Sequence, residues 1–585
     1  MHRLGALQRG LPAATGVAAA TAVVALAGVV GFLVAGTATG SVDWGALLTS
    51  ATWDPRRGQF GAAAMVWGTA ATSVVALALA APLGWAAAVA LVELVGQRWG
   101  RVLRAVVEVL AVVPSIVYGL VGIAYLRPLV ASLGDVPGGD GLLTAGLVLA
   151  VMILPTVVAV SVDALDAVPA ADREAARALG LEPSEVVREV VLPRARRGLV
   201  AGAVLGLARA LGETIAVFLV VGRADGRLPS SLRQGFDALF RPGQTLTTKL
   251  NGPESVLAGT SGEHWAALCA LGLVLLAAVG LATAAGRRAL RAGAGEGHRP
   301  RLGPVARGRQ ARDRIVRALA LGALGLAVGL VVAVGASVLA RGTRALDPSF
   351  WWDPARGSTA GGIREQLLGT VVLVAGAGAM AAPVGLGLGL RMGARGRAAG
   401  TLRSATLLLA GLPSILLGLF GYWLFTSTVG WGKSWLAGSA VLAAVAVPPV
   451  AVAVAASLGA LPPERREAAL AAGLRPHQVL ASVELPHVLP GLATGLLLGL
   501  ARAAGETAPI LFTATVFAGA GGLPSGITDT PVVALPTHIF ALAQDSADPA
   551  ALDAAWGAAL VLIVVAGLLV LSATGIRHRL EATRP

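Results

Sequence analysis

The chain has 585 residues, 56% of them hydrophobic and only 13% charged, and its mean hydropathy is +0.76. Soluble domains carry about 25% charge, so this balance excludes a water-soluble enzyme, and it excludes disorder because disordered chains are charge-rich and apolar-poor. The net charge of +14 is not the footprint of a nucleic-acid binder, since the basic residues fall in short clusters between apolar stretches, and the single cysteine, Cys269, leaves no intramolecular disulfide.

A membrane-crossing helix needs about 20 mostly apolar residues. In chain order, twelve stretches qualify: 14–36, 62–92, 105–130, 142–164, 198–222, 264–285, 317–340, 366–390, 404–429, 437–458, 491–518 and 553–575. The first follows Arg3 and Arg9, but its apolar run exceeds that of a secretory signal, so an uncleaved helix is expected. Placing the N-terminus in the cytoplasm puts 31 basic residues inside and 13 outside; the densest inside cluster runs from Arg287 to Arg317, and the outside stretch 520–552 has none. The positive-inside rule then sets both termini in the cytoplasm. An all-α polytopic membrane protein of about twelve transmembrane helices is predicted, surrounded by membrane lipid and with no large soluble domain.

The segment 287–316 reads as a basic cytoplasmic linker between a first transmembrane half, 1–286, and a second, 317–585. Each half has six spans, an even number, so the two insert in parallel. They align at a constant offset of 293: Pro155 matches Pro448, Pro169 matches Pro462, Gly198 matches Gly491, and Gly206–Thr214 matches Gly499–Thr507. A gap-free register over that distance is a duplication. Between the fourth and fifth spans each half repeats one pattern. Glu174-Ala175-Ala176, Gly180, then Leu192-Pro193 correspond to Glu467-Ala468-Ala469, Gly473, then Leu485-Pro486. Each copy, 174–193 and 467–486, predicts a short helix, a glycine break, a second short helix and a proline stop. A rigid helix–turn–helix leaving the membrane is a lever for a partner's motion; the alternative reading is an amphipathic connector lying on the membrane surface.

Four charges lie well inside predicted spans: Arg209, Glu213, Arg502 and Glu506. A charge at the bilayer centre costs about 2.5–3.5 kcal/mol on insertion scales, so each needs a reason. The i, i+4 spacing puts each Arg–Glu pair on one helix face. One reading is an anion path, because guanidinium forks match the oxygens of an oxyanion. The other is a pair of salt bridges pinning helices, and the two are compatible if the bridge is a gate. Thr214 and Thr507 adjoin the glutamates. Ser115 and Ser414 follow prolines that kink the third span of each half. No lysine sits in a phosphate-binding loop, because the leading glycine before Gly432-Lys433-Ser434 is replaced by Ser427. The chain therefore has no ATP site of its own, no catalytic constellation and no metal site.

The duplicated pattern resembles the EAA loop of ABC importer permeases, with valine in the isoleucine position. The first half, with Val113-Pro-Ser-Ile-Val-Tyr-Gly119 and Arg209-Ala-Leu-Gly-Glu-Thr214, is similar to the PstC type of phosphate-specific permease. The second, with Gly411-Leu-Pro-Ser-Ile415 and Arg502-Ala-Ala-Gly-Glu-Thr507, is similar to the PstA type. The resemblance implies a type I ABC importer transmembrane domain repeated in tandem, in a prokaryotic cell membrane. It implies that two copies of a PstB-like ATPase, carrying ATP and Mg, grip the EAA loops, and that a PstS-like binding protein delivers inorganic phosphate. Another oxyanion (sulfate, thiosulfate, molybdate) and a gradient-driven secondary anion transporter remain alternatives from the residues alone.

Overall fold

The computed structural model describes residues 2–110, 113–134, 136–252, 254–259, 262–291, 309–353, 362–394, 397–516 and 523–582. Among them the chain is helical apart from a two-stranded antiparallel piece, in which Trp53 pairs with Phe60. Among the described residues ten helices are long and apolar enough to cross a membrane, and a further pair, Ala398–Ala410 and Ser414–Thr428, is long and apolar enough only together and meets at a 93° bend.

The differences from the twelve expected spans have local causes. The stretch 198–222 is not one helix: Leu192–Gly212 ends before Glu213, and it carries Arg194, Arg196, Arg197 and Arg209. The stretch 105–130 is shifted and not lost, its crossing running over Ser115–Gly134. Helix Gln97–Leu110 is followed by a new helix that starts at Ser115, with Pro114 extended at its N-cap. Proline has no N–H for the helix ladder and disfavours helical backbone in the residue before it, so prolines expected to kink a helix here start one. Pro413 does the same before Ser414.

The chain forms two compact units, and neither is a contiguous half of the sequence. One comprises residues 42–258 and 274–340; the other comprises 1–41, 259–273 and 341–585. The repeat in the sequence and the compact units are therefore different partitions, because each repeat's first helix is counted with the other repeat. Part of the linker 287–316, residues 292–308, lies outside the described residues.

In the first of these units, Ala63–Val89 and Leu192–Gly212 pack on Leu142–Asp166. Gly198 and Gly206 bring the latter pair close: an added Cβ would lie 2.3 Å from Ala164 Cβ and 2.9 Å from Val157 Cγ2. In the other unit, Gly491 and Gly499 approach Ser457 and Ala446 equally tightly on Trp435–Gly459. Lipid tails give apolar helices no hydrophobic reason to associate, so close approach over small residues supplies the dispersion energy instead. The N-terminal helix His2–Thr37 packs in this second unit against Arg364–Gly393 and Arg397–Ala410. There Phe32 meets Trp423 at 5.2 Å and Phe420 at 5.8 Å.

Candidate functional site

The two EAA loops are superimposable in sequence register. Helix Ala170–Ala178 corresponds to Pro463–Ala471 at one end of the 293-residue offset, each behind an extended proline cap, Pro169 or Pro462. The glycine break follows. Gly180 has φ +79° and Gly473 φ +84°, with open space around both. The requirement for glycine is thus conformational, because a left-handed backbone costs any other residue. The second short helix starts at Pro183 and at Pro476, then passes through a π-helical turn, Val187–Val191 and Leu480–Glu484, into the long helix beginning at Leu192 or Leu485. Pro193 and Pro486 sit in the first turn of those helices, where proline is tolerated. Glu174, Ala175, Glu467 and Ala468 are exposed, Ala176 is buried, and Ala469 is half-buried.

The loops are anchored differently. Arg173 donates to Glu93 Oε1 at 2.9 Å and to Leu165 O at 2.6 Å, which ties the first loop to the second span. Arg466, its counterpart, pairs with Glu484 of its own loop at 3.1 Å. Arg194 also pairs with Asp172 inside the first loop.

At the far end of the long helix both copies break at the Gly-Glu-Thr triplet. In the first copy the helix ends at Gly212, and Glu213 is extended (φ −74°, ψ 131°). The i, i+4 pair expected on one helix face is therefore interrupted. Glu213 Oε1 accepts from Ala216 N–H at 3.3 Å, at the head of the turn Ile215–Phe218. Arg209 Nη1 donates instead to Thr156 Oγ1 of the fourth span at 3.0 Å. In the second copy Arg502 Nε lies 3.8 Å from Glu506 Oε1, and the arginine is half exposed. The residue aligned with Thr156 is Pro449, which has no hydroxyl to offer. Thr214 and Thr507 are both buried. Thr214 Oγ1 is 3.5 Å from Gly212 O, and Thr507 Oγ1 has no partner among the described residues.

The structure brings the third-span motif to this break in each unit. Gly119 lies against Ala216, and Gly418 against Pro509; an added Cβ would be 3.3 Å and 2.9 Å from their Cα atoms. Ser115 and Ser414 open the short helices that carry these glycines, and both are partly buried.

Sequence reasoning missed the segment that returns to the break from the far side. Helix Leu246–Leu250 and helix Leu535–Gln544 both start under a threonine of the second span of their repeat. Leu246 N–H donates to Thr69 Oγ1 and Leu535 N–H to Thr370 Oγ1, each at 2.9 Å. The preceding residues, Gly68 and Gly369, admit this approach, since an added Cβ would fall 2.0 Å from Gln244 O and 1.9 Å from Val533 O. The Gly-Thr pair shared by 68–69 and 369–370 was the available signal. Thr247 Oγ1 then donates to Glu213 O at 2.8 Å, holding the break from outside the span.

The chain's only two lysines stand beside these breaks. Lys249 is 1% exposed, with Nζ 3.0 Å from Asp225 Oδ2, 3.1 Å from Glu254 Oε1 and 5.0 Å from the Trp53 ring. Its place relative to Leu246 is taken by His538 after Leu535, whose burial lowers the imidazole pKa from the usual 6.5 to about 4. Lys433 donates to the carbonyls of Leu511 and Thr515, at 3.1 and 3.3 Å, at the C-terminal end of Ala508–Thr513. Burial lowers its pKa. No cluster of three or more His, Cys, Asp or Glu arranged to hold a metal occurs among the described residues.

A duplicated loop of helix, left-handed glycine and helix, leading into a span broken at a charged triplet, defines a tandem membrane transport domain. The family model for binding-protein-dependent transport system inner membrane components matches twice, over residues 80–292 and 381–583, and the chain belongs to that family. It is similar to the phosphate transport system permease protein PstC of Mesorhizobium japonicum, 36% identical over 45% of this chain and 84% of the relative. PstC of Haemophilus influenzae is 36% identical over 40% of this chain and 76% of its own length, and PstC 2 of Mycobacterium tuberculosis is 40% identical over 34% and 65%. Two family matches in tandem, with PstC relatives covering under half of the chain, are consistent with a PstC–PstA-type fusion in an inner membrane.

Proposed function

We propose that the chain is the membrane permease of an ATP-driven importer that moves inorganic phosphate into the cytoplasm. The observation that carries the reading is the duplicated break, which sets one arginine in each repeat beside a Gly-Glu-Thr triplet within an apolar helix bundle. Arg209 is held by a neutral hydroxyl and Arg502 by a loose, half-exposed ion pair, so each keeps donors for a passing oxyanion. A guanidinium stays charged throughout and offers a planar fork. The PstC relatives favour phosphate over sulfate, thiosulfate or molybdate. Thr214 and Ser115 supply hydroxyls in the unit that holds Arg209, and Thr507 and Ser414 in the unit that holds Arg502.

In this reading two copies of a PstB-like ATPase carry ATP and Mg and bind the exposed Glu174 and Glu467 faces of the EAA loops. A PstS-like binding protein feeds the opposite mouth, and both termini are cytoplasmic. The chain itself is a transport subunit and no enzyme. The test is uptake of radiolabelled phosphate in cells lacking the gene, with and without its restoration, challenged by excess sulfate. Restored uptake that sulfate does not compete is expected; no phosphate difference with every partner present overturns the substrate. Arg209→Ala and Arg502→Ala are each expected to lower uptake about ten-fold or more, the worth of one charge-assisted hydrogen bond. ATPase that still co-purifies normally with Glu174→Lys/Glu467→Lys overturns the docking.

A further inference from the structure

The second short helix of the first EAA loop begins at Pro183 and runs without a break through the π turn into the span that ends at Gly212. A helix of that length leaves free N–H groups and a partial positive charge at its start. One of these groups is satisfied from within the loop, where Glu182 N–H donates to Glu185 Oε2 at 3.0 Å. A second is satisfied from far away in the chain. Ser184 N–H donates to Asp313 Oδ1 at 2.9 Å, across 129 residues. Asp313 belongs to Arg309–Gly342, the first helix of the second repeat. Its side chain is 6% exposed, and Arg317 Nε holds the other oxygen at 2.7 Å.

The second loop reproduces the internal bond and, among the described residues, lacks the distant one. Arg475 N–H donates to Gln478 Oε1 at 2.8 Å, the same two positions at the 293 offset. The helix packed against that second short helix, Pro476–Val479, is the N-terminal His2–Thr37. Residues 1–42 contain no aspartate or glutamate, so no equivalent carboxylate is available there. Asp313 stands four residues beyond Arg309, inside the segment 287–316 read from the sequence as linker, whose last eight residues are the start of this helix.

We propose that Asp313 is a positioning residue for energy coupling: it caps the first EAA loop's second helix from the other repeat, so that this loop moves together with the first helix of the second repeat. The proposal rests on the reading that the EAA loops receive the ATPase. Glu182 is the N-cap residue, and a carboxylate brought from elsewhere to the N2 N–H both fills that orphan donor and meets the positive end of the helix. Arg317 restrains that carboxylate so that the cap keeps its direction. Asp313 touches no substrate.

The test separates the cap from the reading beneath it. Amide hydrogen exchange is measured on the purified full-length chain, wild type against Asp313→Ala, and the importer is then reconstituted with its ATPase and binding protein to measure phosphate moved per ATP hydrolysed. Exchange in the peptide containing Ser184 is expected to rise about ten-fold, while the peptide containing His477 stays unchanged. Phosphate moved per ATP is expected to fall several-fold, with ATPase association retained. Asp313→Asn keeps an acceptor oxygen and is expected to recover part of both; if the alanine variant does not fold, this variant carries the comparison. Unchanged exchange at Ser184 overturns the cap. Faster exchange with an unchanged phosphate-to-ATP ratio overturns the coupling role. A wild-type chain that binds no ATPase overturns the importer reading, and the exchange result then still decides the cap.

Discussion

The two repeats carry the same break in the same register, yet their charges are held in different ways. In the first, Arg209 reaches across to Thr156, and Glu213 turns forward to the next helical turn. In the second, Arg502 and Glu506 lie 3.8 Å apart, and Pro449 stands in the place of the threonine. The backbone is shared closely: Thr214 and Thr507 have φ −113° and −110°, and the π turns and left-handed glycines coincide at the 293 offset. Duplication thus preserved what the backbone must do at each step and let side-chain electrostatics diverge. The same holds for the loop anchors, Arg173 to a neighbouring span and Arg466 to its own loop.

The largest effect that would sharpen this contrast is expected at the lysines. Lys249→Met removes two ion pairs from a buried ammonium, leaving Asp225 to water and Glu254 to the Trp53 indole N–H, and losing hydrogen bonds to charged groups costs about 2–3 kcal/mol. Lys433→Met releases only two carbonyls, so about 1–2 kcal/mol is expected. Thermal unfolding in detergent should rank the two variants in that order; equal losses would mean that the buried pair is not the firmer anchor.

Next comes pH. His538 has a folded pKa near 4 against 6.5 unfolded, so the unfolded chain binds more protons between those values. Stability is full above about pH 6.5 and falls by about 3 kcal/mol as pH drops toward 4. His538→Gln should remove that component of the melting profile. A wild-type profile that is flat from pH 7 to 4 would contradict the burial of the imidazole.

Smaller effects are expected in the loops and at the break. Gly180→Ala and Gly473→Ala each put a side chain on a left-handed backbone, at a cost of about 1 kcal/mol. Equal losses of phosphate moved per ATP would show that the two loops share one mechanical role, and a loss confined to Gly180→Ala would tie coupling to the first. Smallest of all, Thr156→Val and Glu506→Gln remove one weak partner each, worth about 1 kcal/mol or less, so uptake should change by less than about five-fold. A ten-fold effect of either would mean that the partner, not the arginine alone, belongs to the path.

Much of this protein was legible in the residues. Apolar stretches of about 20 residues announce membrane helices because lipid leaves the backbone no other partner. A gap-free offset reveals a duplication, and a glycine at the same place in both loops marks a left-handed turn that only glycine adopts freely. These are local or periodic signals, and the EAA loops follow them at every step. The i, i+4 spacing of Arg209 and Glu213 was equally plain, but it assumed an unbroken helix.

What the tertiary structure decided was which partner each group meets. Leu246 and Leu535 find Thr69 and Thr370 across 177 and 165 residues, Ser184 finds Asp313 across 129, and Lys249 collects Asp225, Glu254 and Trp53 from separate segments. No periodicity encodes such pairings. A backbone amide or an ammonium removed from water takes whichever acceptor packing brings within about 3 Å, and packing is settled by the close approach of small residues over the whole helix bundle.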